Sequence, residues 1–313
     1  MLFKVLDSAI RKFETRNCSP TLPRRIGGVL NRLMQRGLTA AVIEEIQTQR
    51  LRDAVRYVYG RSPFYRRLFS GAGLRPEDIA GLSDLRKIPF TTSQDIRQWR
   101  DFLCVPEDKL SAVFTTSGTT GEPKRVYYTF REMQTLSNLF AVAVRAVHPG
   151  NLVALIALPL SHGLWIGSAS VQRAVERAGG LSLPVGADDP GETVVWMKRF
   201  NPNVIFSSPS YMTALTREAE SCGFRPAIDT IWLAGELVTE EHKRRFSEYW
   251  KAEIYDSFGS TEIGSAQTIA LPGCRALHLN DLHLVTEIIA PETACRLKKE
   301  NWYLQQSGGR GCR

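Results

Sequence analysis

The stretch Phe114-Thr-Thr-Ser-Gly-Thr-Thr-Gly-Glu-Pro-Lys-Arg-Val-Tyr-Tyr128 is the most informative segment of this 313-residue chain. Five of the nine residues 115–123 carry hydroxyl groups, two are glycines, and Lys124 follows directly. Glycine lets the backbone approach an anion closely, while hydroxyl and backbone N–H groups donate hydrogen bonds to phosphate oxygens. The composition therefore predicts a loop that binds a polyphosphate.

The flanks of this loop are rich in β-branched and aromatic residues, so we expect it to connect two strands of a hairpin. A Walker A loop would need G-x-x-x-x-G-K-[ST] at the start of a helix. Counting from Gly118, the sixth residue is Pro123 rather than glycine. The sequence thus predicts a nucleotide site that is built differently from a P-loop.

Residues 116–124, Thr-Ser-Gly-Thr-Thr-Gly-Glu-Pro-Lys, resemble the phosphate-loop signature of the adenylate-forming enzymes. This superfamily includes acyl- and aryl-CoA synthetases, peptide-synthetase adenylation domains and luciferases. The resemblance implies that Lys124 offsets charge on the phosphates and that the preceding residues contact the nucleotide: Thr116, Ser117, Gly118, Thr119, Thr120 and Gly121. Taken alone, the segment is also compatible with an ordinary hairpin turn.

A second motif, Phe258-Gly-Ser-Thr-Glu262, follows a predicted strand and resembles the family's aromatic-Gly-x-Thr-Glu signature. The match implies that Phe258 and Gly259 contact adenine, that Thr261 contacts the α-phosphate and that Glu262 binds Mg²⁺. An aromatic face suits a purine, and a hard oxygen ligand suits Mg²⁺. Without the first motif, Glu262 would be interpreted as a carboxylate at the start of a helix.

Other candidate residues follow predicted strands. The resemblance implies that Gly235 and Glu236 line the adenine and acyl pockets, and that Asp256 accepts a hydrogen bond from the adenine amino group. A substrate pocket is predicted from three side chains near strand ends, for which core packing is the alternative: His162, Trp165 and Tyr211.

Between residues 152 and 255, apolar segments of strand length alternate with helical segments of ten to fifteen residues. This pattern predicts an α/β fold with mostly parallel sheets wrapped by helices, and ligands at the carboxyl ends of the strands. Before it, apolar residues at helical spacing predict a helical N-terminal region over 28–59, with a break near Gly37 and Thr39 as a helix N-cap.

The order of short N-terminal motifs is similar to one branch of the superfamily, the phenylacetate-CoA ligases. These motifs are Ser62-Pro-Phe-Tyr-Arg66, Pro76-Glu-Asp-Ile79 and Asp84 to Thr91. The resemblance implies ATP-dependent activation of a carboxylic acid, an aromatic one by the same resemblance, to an acyl-adenylate and transfer to CoA, with ATP, Mg²⁺ and CoA as cofactors. Two alternatives stay open: transfer to a carrier protein, and a nucleotide- or acyl-binding remnant without turnover.

Composition sets further bounds. The net charge is +8, and residues 1–100 hold 19 Lys and Arg against 9 Asp and Glu. A basic surface attracts nucleic acid or anionic cofactors, but arginines dispersed singly along helices favour a solvated face. We expect a cytoplasmic protein with a small carboxylic acid as substrate, no nucleic-acid or membrane partner, and by resemblance a homodimer.

Cys274 and His278 are four residues apart, a spacing that suits half of a zinc site. The scattered spacing of the six cysteines, with no second pair nearby, favours the alternative of a core thiol and a polar loop histidine.

We predict three regions: a helical region at 1–110, an ATP- and acyl-binding core at 111–293, and a basic, glycine-rich tail at 294–313. The resemblance ends after Thr293. Relatives continue to a Thr-Gly-Asp motif and a C-terminal lid domain with a catalytic lysine, neither of which follows here. This predicts a frameshifted or truncated reading frame, or a naturally short variant with impaired catalysis.

Overall fold

The computed structural model of the protein describes residues 39–116, 123–160, 164–264, 268–269, 277–289 and 296–297. Five predicted loop contacts, Ser117 to Gly121, fall outside these ranges, as do His162, Cys274 and the predicted tail from residue 298. Across the described ranges, no helix is both long and apolar enough to cross a lipid bilayer.

The described chain begins with helices α1 (Ala40–Arg61), α2 (Pro63–Gly71) and α3 (Trp99–Phe102), joined by 3₁₀ turns. Thr39 is the N-cap of α1, as predicted, because its Oγ1 accepts a hydrogen bond from the Val42 N–H at 3.4 Å. The proposed boundary at residue 110 between a helical region and the core stays a prediction.

A hairpin follows, formed by strands β1 (Leu110–Thr115) and β2 (Arg125–Thr129), which pair antiparallel. The hydroxyl-rich segment connects these two strands, as its flanks predict. The backbone N–H of Thr116 donates to the carbonyl of Lys124 at 3.2 Å, which closes the neck of the connection. Helix α4 (Phe130–Val147) begins directly after β2.

The centre of the fold is a parallel sheet in the order β4-β3-β5-β6-β7. Its strands, in chain order, are β3 (Val153–Ala157), β4 (Leu181–Pro184), β5 (Val204–Ser207), β6 (Thr230–Ala234) and β7 (Glu253–Ser257). The helices between them are α5 (Ile166–Arg177), α6 (Pro190–Phe200), α7 (Pro209–Ser221) and α8 (Glu240–Trp250). This confirms the predicted fold class.

Four short strands follow the sheet in the chain. Strand β8 (Thr268–Ile269) pairs antiparallel with β9 (His278–Leu279), and β10 (Ile288–Ile289) pairs antiparallel with β11 (Arg296–Leu297).

Successive side chains of a strand point to opposite faces of the sheet, and helices bury both faces of this sheet. In β3, Ala154 and Ile156 belong to a core with residues of α4 and α5, whereas Leu155 and Ala157 belong to a core with residues of α6, α7 and α8. We call these the α4/α5 face and the α6–α8 face.

The strand order reverses direction at the centre of the sheet. From β3 the chain goes outward to β4 and then returns to the other side of β3 as β5. Ligands of open parallel sheets bind at such a reversal, outside the carboxyl ends of the strands. The topology therefore predicts a ligand site at the edge formed by the carboxyl ends of β3, β5, β6 and β7.

Arg145 joins the carboxyl ends of α4 and α5 although it is almost completely buried. Its Nε donates to the carbonyl of Ala178 at 2.6 Å, and its Nη1 donates to the carbonyls of Gly150 at 2.6 Å and His148 at 3.3 Å. One guanidinium thereby satisfies carbonyls from two helix ends and the turn before β3.

We predict that Arg145→Met lowers the free energy of unfolding by about 2–4 kcal/mol, because several buried carbonyls lose their donor. Urea denaturation followed by circular dichroism measures the change. The matched control is Arg173→Met, at an exposed position of α5, for which we expect a change within about 0.5 kcal/mol. Equal losses in the two variants would contradict the prediction.

Candidate functional site

The two sequence motifs, which are more than a hundred residues apart, meet at the carboxyl edge of the sheet. Lys124, at the end of the hydroxyl-rich segment, lies with its Nζ 2.7 Å from Oε1 of Glu262, in the loop after β7. The hydroxyl of Tyr128 in β2 donates to the backbone carbonyl of Thr261. The hairpin and the loop are therefore tied together by one ion pair and one hydrogen bond.

The Glu262 carboxylate is held in its ionised form. Burial raises its pKa, but the hydrogen bond from Lys124, a backbone N–H, the charge of Lys124 and the Ser260 hydroxyl together lower it more, so the net pKa lies below the ordinary value. The ionised group thus stabilises the fold above its unfolded-state pKa, and this contribution is lost as the pH falls through the lower native pKa.

Tyr128 is a functional candidate that the sequence motifs do not include. Burial, with smaller contributions from the charges of Glu132 and Glu262, raises the pKa of its hydroxyl well above the ordinary value. The hydroxyl therefore stays protonated and available as a donor to Thr261. The sequence gives little indication of this role for Tyr128, since an aromatic residue in a strand more often serves in packing.

A cavity of about 730 Å³ opens at the carboxyl ends of β6 and β7, a size typical of small-molecule sites. One wall consists of residues at the ends of β6 and β7, and it includes five predicted site residues: Gly235, Glu236, Asp256, Phe258 and Gly259. Phe258 exposes 57% of its surface, so its ring is accessible at this wall. Burial raises the pKa of Asp256, and the charge of Lys243 partly opposes this.

The opposite wall of the cavity includes residues of the segment 277–289, which we call the strap. Helix α1 holds the strap from outside. Gln47 donates from Nε2 to the carbonyls of Asp281 at 2.8 Å and Leu284 at 3.1 Å, and Arg50 donates from Nη1 to the carbonyl of Leu282 at 3.0 Å. Sequence patterns give no sign of these contacts, because each spans more than two hundred residues.

A second, smaller cavity of about 140 Å³ lies on the α4/α5 face, and it shares Gly235, Ser257 and Gly259 with the first. Trp165, a predicted substrate-pocket residue, lines it. The Trp165 ring requires glycine at two places: a Cβ atom on Gly167 would lie 2.3 Å from the ring, and one on Gly235, whose φ is +86°, would lie 3.2 Å from it.

The remaining candidates differ in their placement. Thr261 lines the small cavity. Glu236 accepts hydrogen bonds from the Ser210 N–H at 3.0 Å and the Ser210 hydroxyl at 2.5 Å, so its charge lies at the N-terminus of α7, where it is favourable. The hydroxyl oxygen of Thr116 is buried and has no hydrogen-bond partner in the described part of the chain.

Tyr211 lies elsewhere. It packs in the core of the α6–α8 face, its hydroxyl lies 2.8 Å from Thr193 Oγ1, and it lines neither cavity. A position directly after a strand places a residue at the carboxyl edge of the sheet, but it does not determine on which face the residue lies. For Tyr211, the alternative of core packing agrees with the geometry. We therefore leave Tyr211 out of the candidate site.

The donor set suits magnesium better than zinc. Among the described side chains, no group of three or more His, Cys, Asp and Glu is arranged to hold a metal ion. Mg²⁺ is commonly held by one or two carboxylates together with substrate phosphates and water. A single ionised carboxylate, Glu262, next to the end of the segment that is predicted to bind phosphate fits that chemistry. Burial lowers the pKa of His278, and its proposed zinc partner Cys274 lies outside the described residues.

Comparisons with known proteins identify the family of this chain. A family model described as AMP-binding enzyme matches residues 64–300. The phenylacetate-coenzyme A ligase of Thermus thermophilus is 29% identical over 260 residues, which cover 80% of this chain and 58% of that protein. The enzyme of the same name from Escherichia coli is 34% identical, over 72% of this chain and 53% of that protein. The chain thus spans little more than half the length of these curated relatives.

Solved structures share the fold. A 2-hydroxyisobutyryl-CoA ligase in complex with 2-HIB-AMP and CoA superposes with a TM-score of 0.74 at 22% sequence identity, over 83% of this chain and 58% of that one. At this level of identity the likeness establishes the architecture.

We predict that Lys124→Gln raises the pKa of Glu262, because the strongest group lowering it is removed while the burial that raises it remains. A pH titration of ¹³C-labelled glutamate side chains by NMR measures this, with Glu262→Gln identifying the resonance. The control is Lys109→Gln, whose lysine pairs with Asp108 on the surface and for which we expect no change at Glu262. An unaltered pKa in Lys124→Gln would show that the ion pair is not what ionises Glu262.

Proposed function

Because the chain belongs to the AMP-binding enzyme family, we propose that it activates a carboxylic acid with ATP to give an acyl-adenylate and passes the acyl group to coenzyme A. The observation that carries the proposal is the ion pair between Lys124 and Glu262 in the loop after β7, the same loop in which Phe258 places an exposed aromatic ring in the wall of a cavity of about 730 Å³.

The reaction has two displacements. In the first, a carboxylate oxygen bonds to the α-phosphorus of ATP, and pyrophosphate leaves with the electron pair of the broken P–O bond. In the second, the sulfur of coenzyme A bonds to the carbonyl carbon, AMP leaves with the electron pair of the broken C–O bond, and the thiol proton is released. Neither step needs a covalent bond to the protein, so its contribution is positioning and electrostatics.

Each candidate side chain has a role in this scheme. Phe258 stacks on adenine, and Asp256 accepts from the adenine amino group. With nucleotide bound, Lys124 would pair with the phosphates and Glu262 would hold Mg²⁺, which would offset charge on the phosphates. Thr261 would donate to the α-phosphate. Tyr128 keeps the backbone of Thr261 in place.

The substrate we propose is a small aromatic acid. Two relatives carry phenylacetate in their names, and the small cavity is bounded by aromatic side chains: Phe140, Trp165, Phe206 and Trp232. Its volume of about 140 Å³ is close to that of an engineered cavity, about 150 Å³, that binds benzene. A single aromatic ring therefore matches both the size and the chemistry of this space.

The test is exchange of labelled pyrophosphate into ATP, which reports reversible adenylate formation. We expect exchange that requires both Mg²⁺ and an aromatic carboxylic acid, and that falls about 10²–10³-fold in Glu262→Gln, as for the loss of other preorganised electrostatic groups. Exchange without added acid, or no exchange with any acid, would contradict the proposal. Thioester formation with coenzyme A, rather than with a carrier protein, tests the second displacement.

We further predict that Phe258→Ala weakens ATP binding about tenfold, since stacking of a base on an aromatic ring contributes about 1–3 kcal/mol. Isothermal titration calorimetry measures the dissociation constant. Phe200→Ala is a matched control: Phe200 is also exposed, at 42%, but it lies at the end of α6, before β5, and hence at the opposite edge of the sheet. Equal weakening by the two substitutions would remove Phe258 from the adenine site.

A further inference from the structure

The indole N–H of Trp232, a residue that lines the small cavity, has no hydrogen-bond partner among the described residues. Trp232 lines this cavity and is only 2% exposed, and its Nε1 is buried without a partner among the described residues. A buried tryptophan N–H usually has an acceptor, because leaving the group unpaired is costly. The unpaired donor therefore requires an explanation.

Trp250 shows what the fold provides at an ordinary core position. It is 1% exposed, and its Nε1 donates to Thr216 Oγ1 at 2.9 Å on the α6–α8 face. Both tryptophans are almost completely buried, Trp232 in strand β6 and Trp250 in helix α8, yet within the described part of the chain Trp250 has an acceptor and Trp232 has none. Burial alone thus does not account for the unpaired group.

The surroundings of Trp232 are aromatic and fixed. Its ring centroid lies 5.8 Å from that of Phe140, 5.7 Å from that of Phe206 and 5.7 Å from that of Tyr255. Such ring pairs are attractive and restrict rotation of the indole. The donor is consequently held in one orientation, as recognition of a ligand atom requires.

Water is a poor partner for this donor. A buried water needs two to four polar partners, and the polar side chains that line the cavity, Ser257, Ser260 and Thr261, all come from the end of β7 and the loop after it. The other lining side chains are apolar, including Phe140, Leu158 and Phe206. Among the lining side chains, a water beside Trp232 would therefore find polar partners only at the end of β7 and in the loop after it.

The position of Trp232 along its strand sets the distance to the reacting end of a substrate. Trp232 precedes Ala234, the last residue of β6, by two positions, which corresponds to about 6–7 Å along a strand. That depth is about the length of one aromatic ring. An acid whose carboxylate lies at the mouth beside Thr261 thus has the far end of its ring close to Trp232.

We propose that Trp232 is a specificity residue that selects aromatic acids carrying a hydrogen-bond acceptor, such as a hydroxyl or carbonyl oxygen, at the end of the ring remote from the carboxylate. This inference rests on the proposed function and names its substrate class. A site with a buried donor discriminates strongly against an analogue without the matching acceptor, because binding that analogue leaves the donor unpaired.

The test compares 4-hydroxyphenylacetate with 4-methylphenylacetate, which have similar shapes but differ in the acceptor. Binding of each acid to the whole chain in the presence of ATP and Mg²⁺ is measured by calorimetry, alongside acid-dependent pyrophosphate exchange. For the wild-type chain we expect at least tenfold tighter binding of the hydroxy acid. In Trp232→Phe the two acids should bind within about threefold of each other, whereas Trp250→Phe should retain the wild-type preference.

A second measurement uses the wild-type chain alone and does not depend on the folding of a variant. The indole ¹H–¹⁵N resonance of Trp232 should move downfield with the hydroxy acid but not with the methyl acid. Equal affinity of the wild-type chain for both acids, or a preference that persists in Trp232→Phe, overturns the inference.

The outcomes for the inference and for the proposed function are distinct. Exchange with both acids at equal efficiency would leave the proposed function intact and remove the role of Trp232. Selective binding of the hydroxy acid without exchange would support the role of Trp232 and contradict the proposed activation of the acid. Binding of neither acid, with ATP binding retained, would contradict both.

Discussion

The candidate site depends on the contact between the hairpin and the loop after β7. Lys124 and Glu262 are 138 residues apart in the chain, and the hairpin is not part of the five-stranded sheet. Its orientation relative to the carboxyl edge therefore depends on the apolar cluster that Phe114 and Tyr128 form with residues of α4 and α5, and on a few polar contacts. The ion pair is partly exposed, and such pairs add little stability. The buried donor Tyr128 provides the firmer anchor, because breaking its bond would leave polar groups unpaired inside the protein.

Much of the fold is predictable from local sequence. Parallel strands covered on both faces are nearly continuous apolar runs, so the alternation of strands and helices predicted between residues 152 and 255 is confirmed by the five sheet strands and the helices between them. Helix α4 was missed. Its signals were a capping box between Thr129 and Glu132 and apolar residues at helical spacing after it. The sheet order, in contrast, depends on pairings between distant strands, which local patterns do not encode.

Like the fold, the candidate site contains some residues that local sequence predicts and others that it does not. Residues within the two motifs, such as Phe258 and Glu262, are predictable because the motifs resemble signatures of the adenylate-forming enzymes, although their roles stay predictions. Residues that position others were not predictable. Tyr128, Gln47 and Trp232 resemble ordinary strand or helix residues until the structure shows what each contacts or leaves unpaired. Tyr211 was a candidate because it follows a strand, but it lies in the core of the α6–α8 face, because its helix α7 packs on that face of the sheet.

The attachment of the strap to α1 couples two distant parts of the chain energetically. Gln47 and Arg50 bond to backbone carbonyls of the strap, and the strap forms a wall of the larger cavity. Local opening of the first turns of α1 would therefore also release that wall. By thermodynamic linkage, any molecule that fills the cavity and binds the closed wall more tightly than the open one must protect α1 against opening. Helix α1 and the wall then behave as one cooperative unit. The fraction of molecules with an occupied cavity determines how often α1 opens.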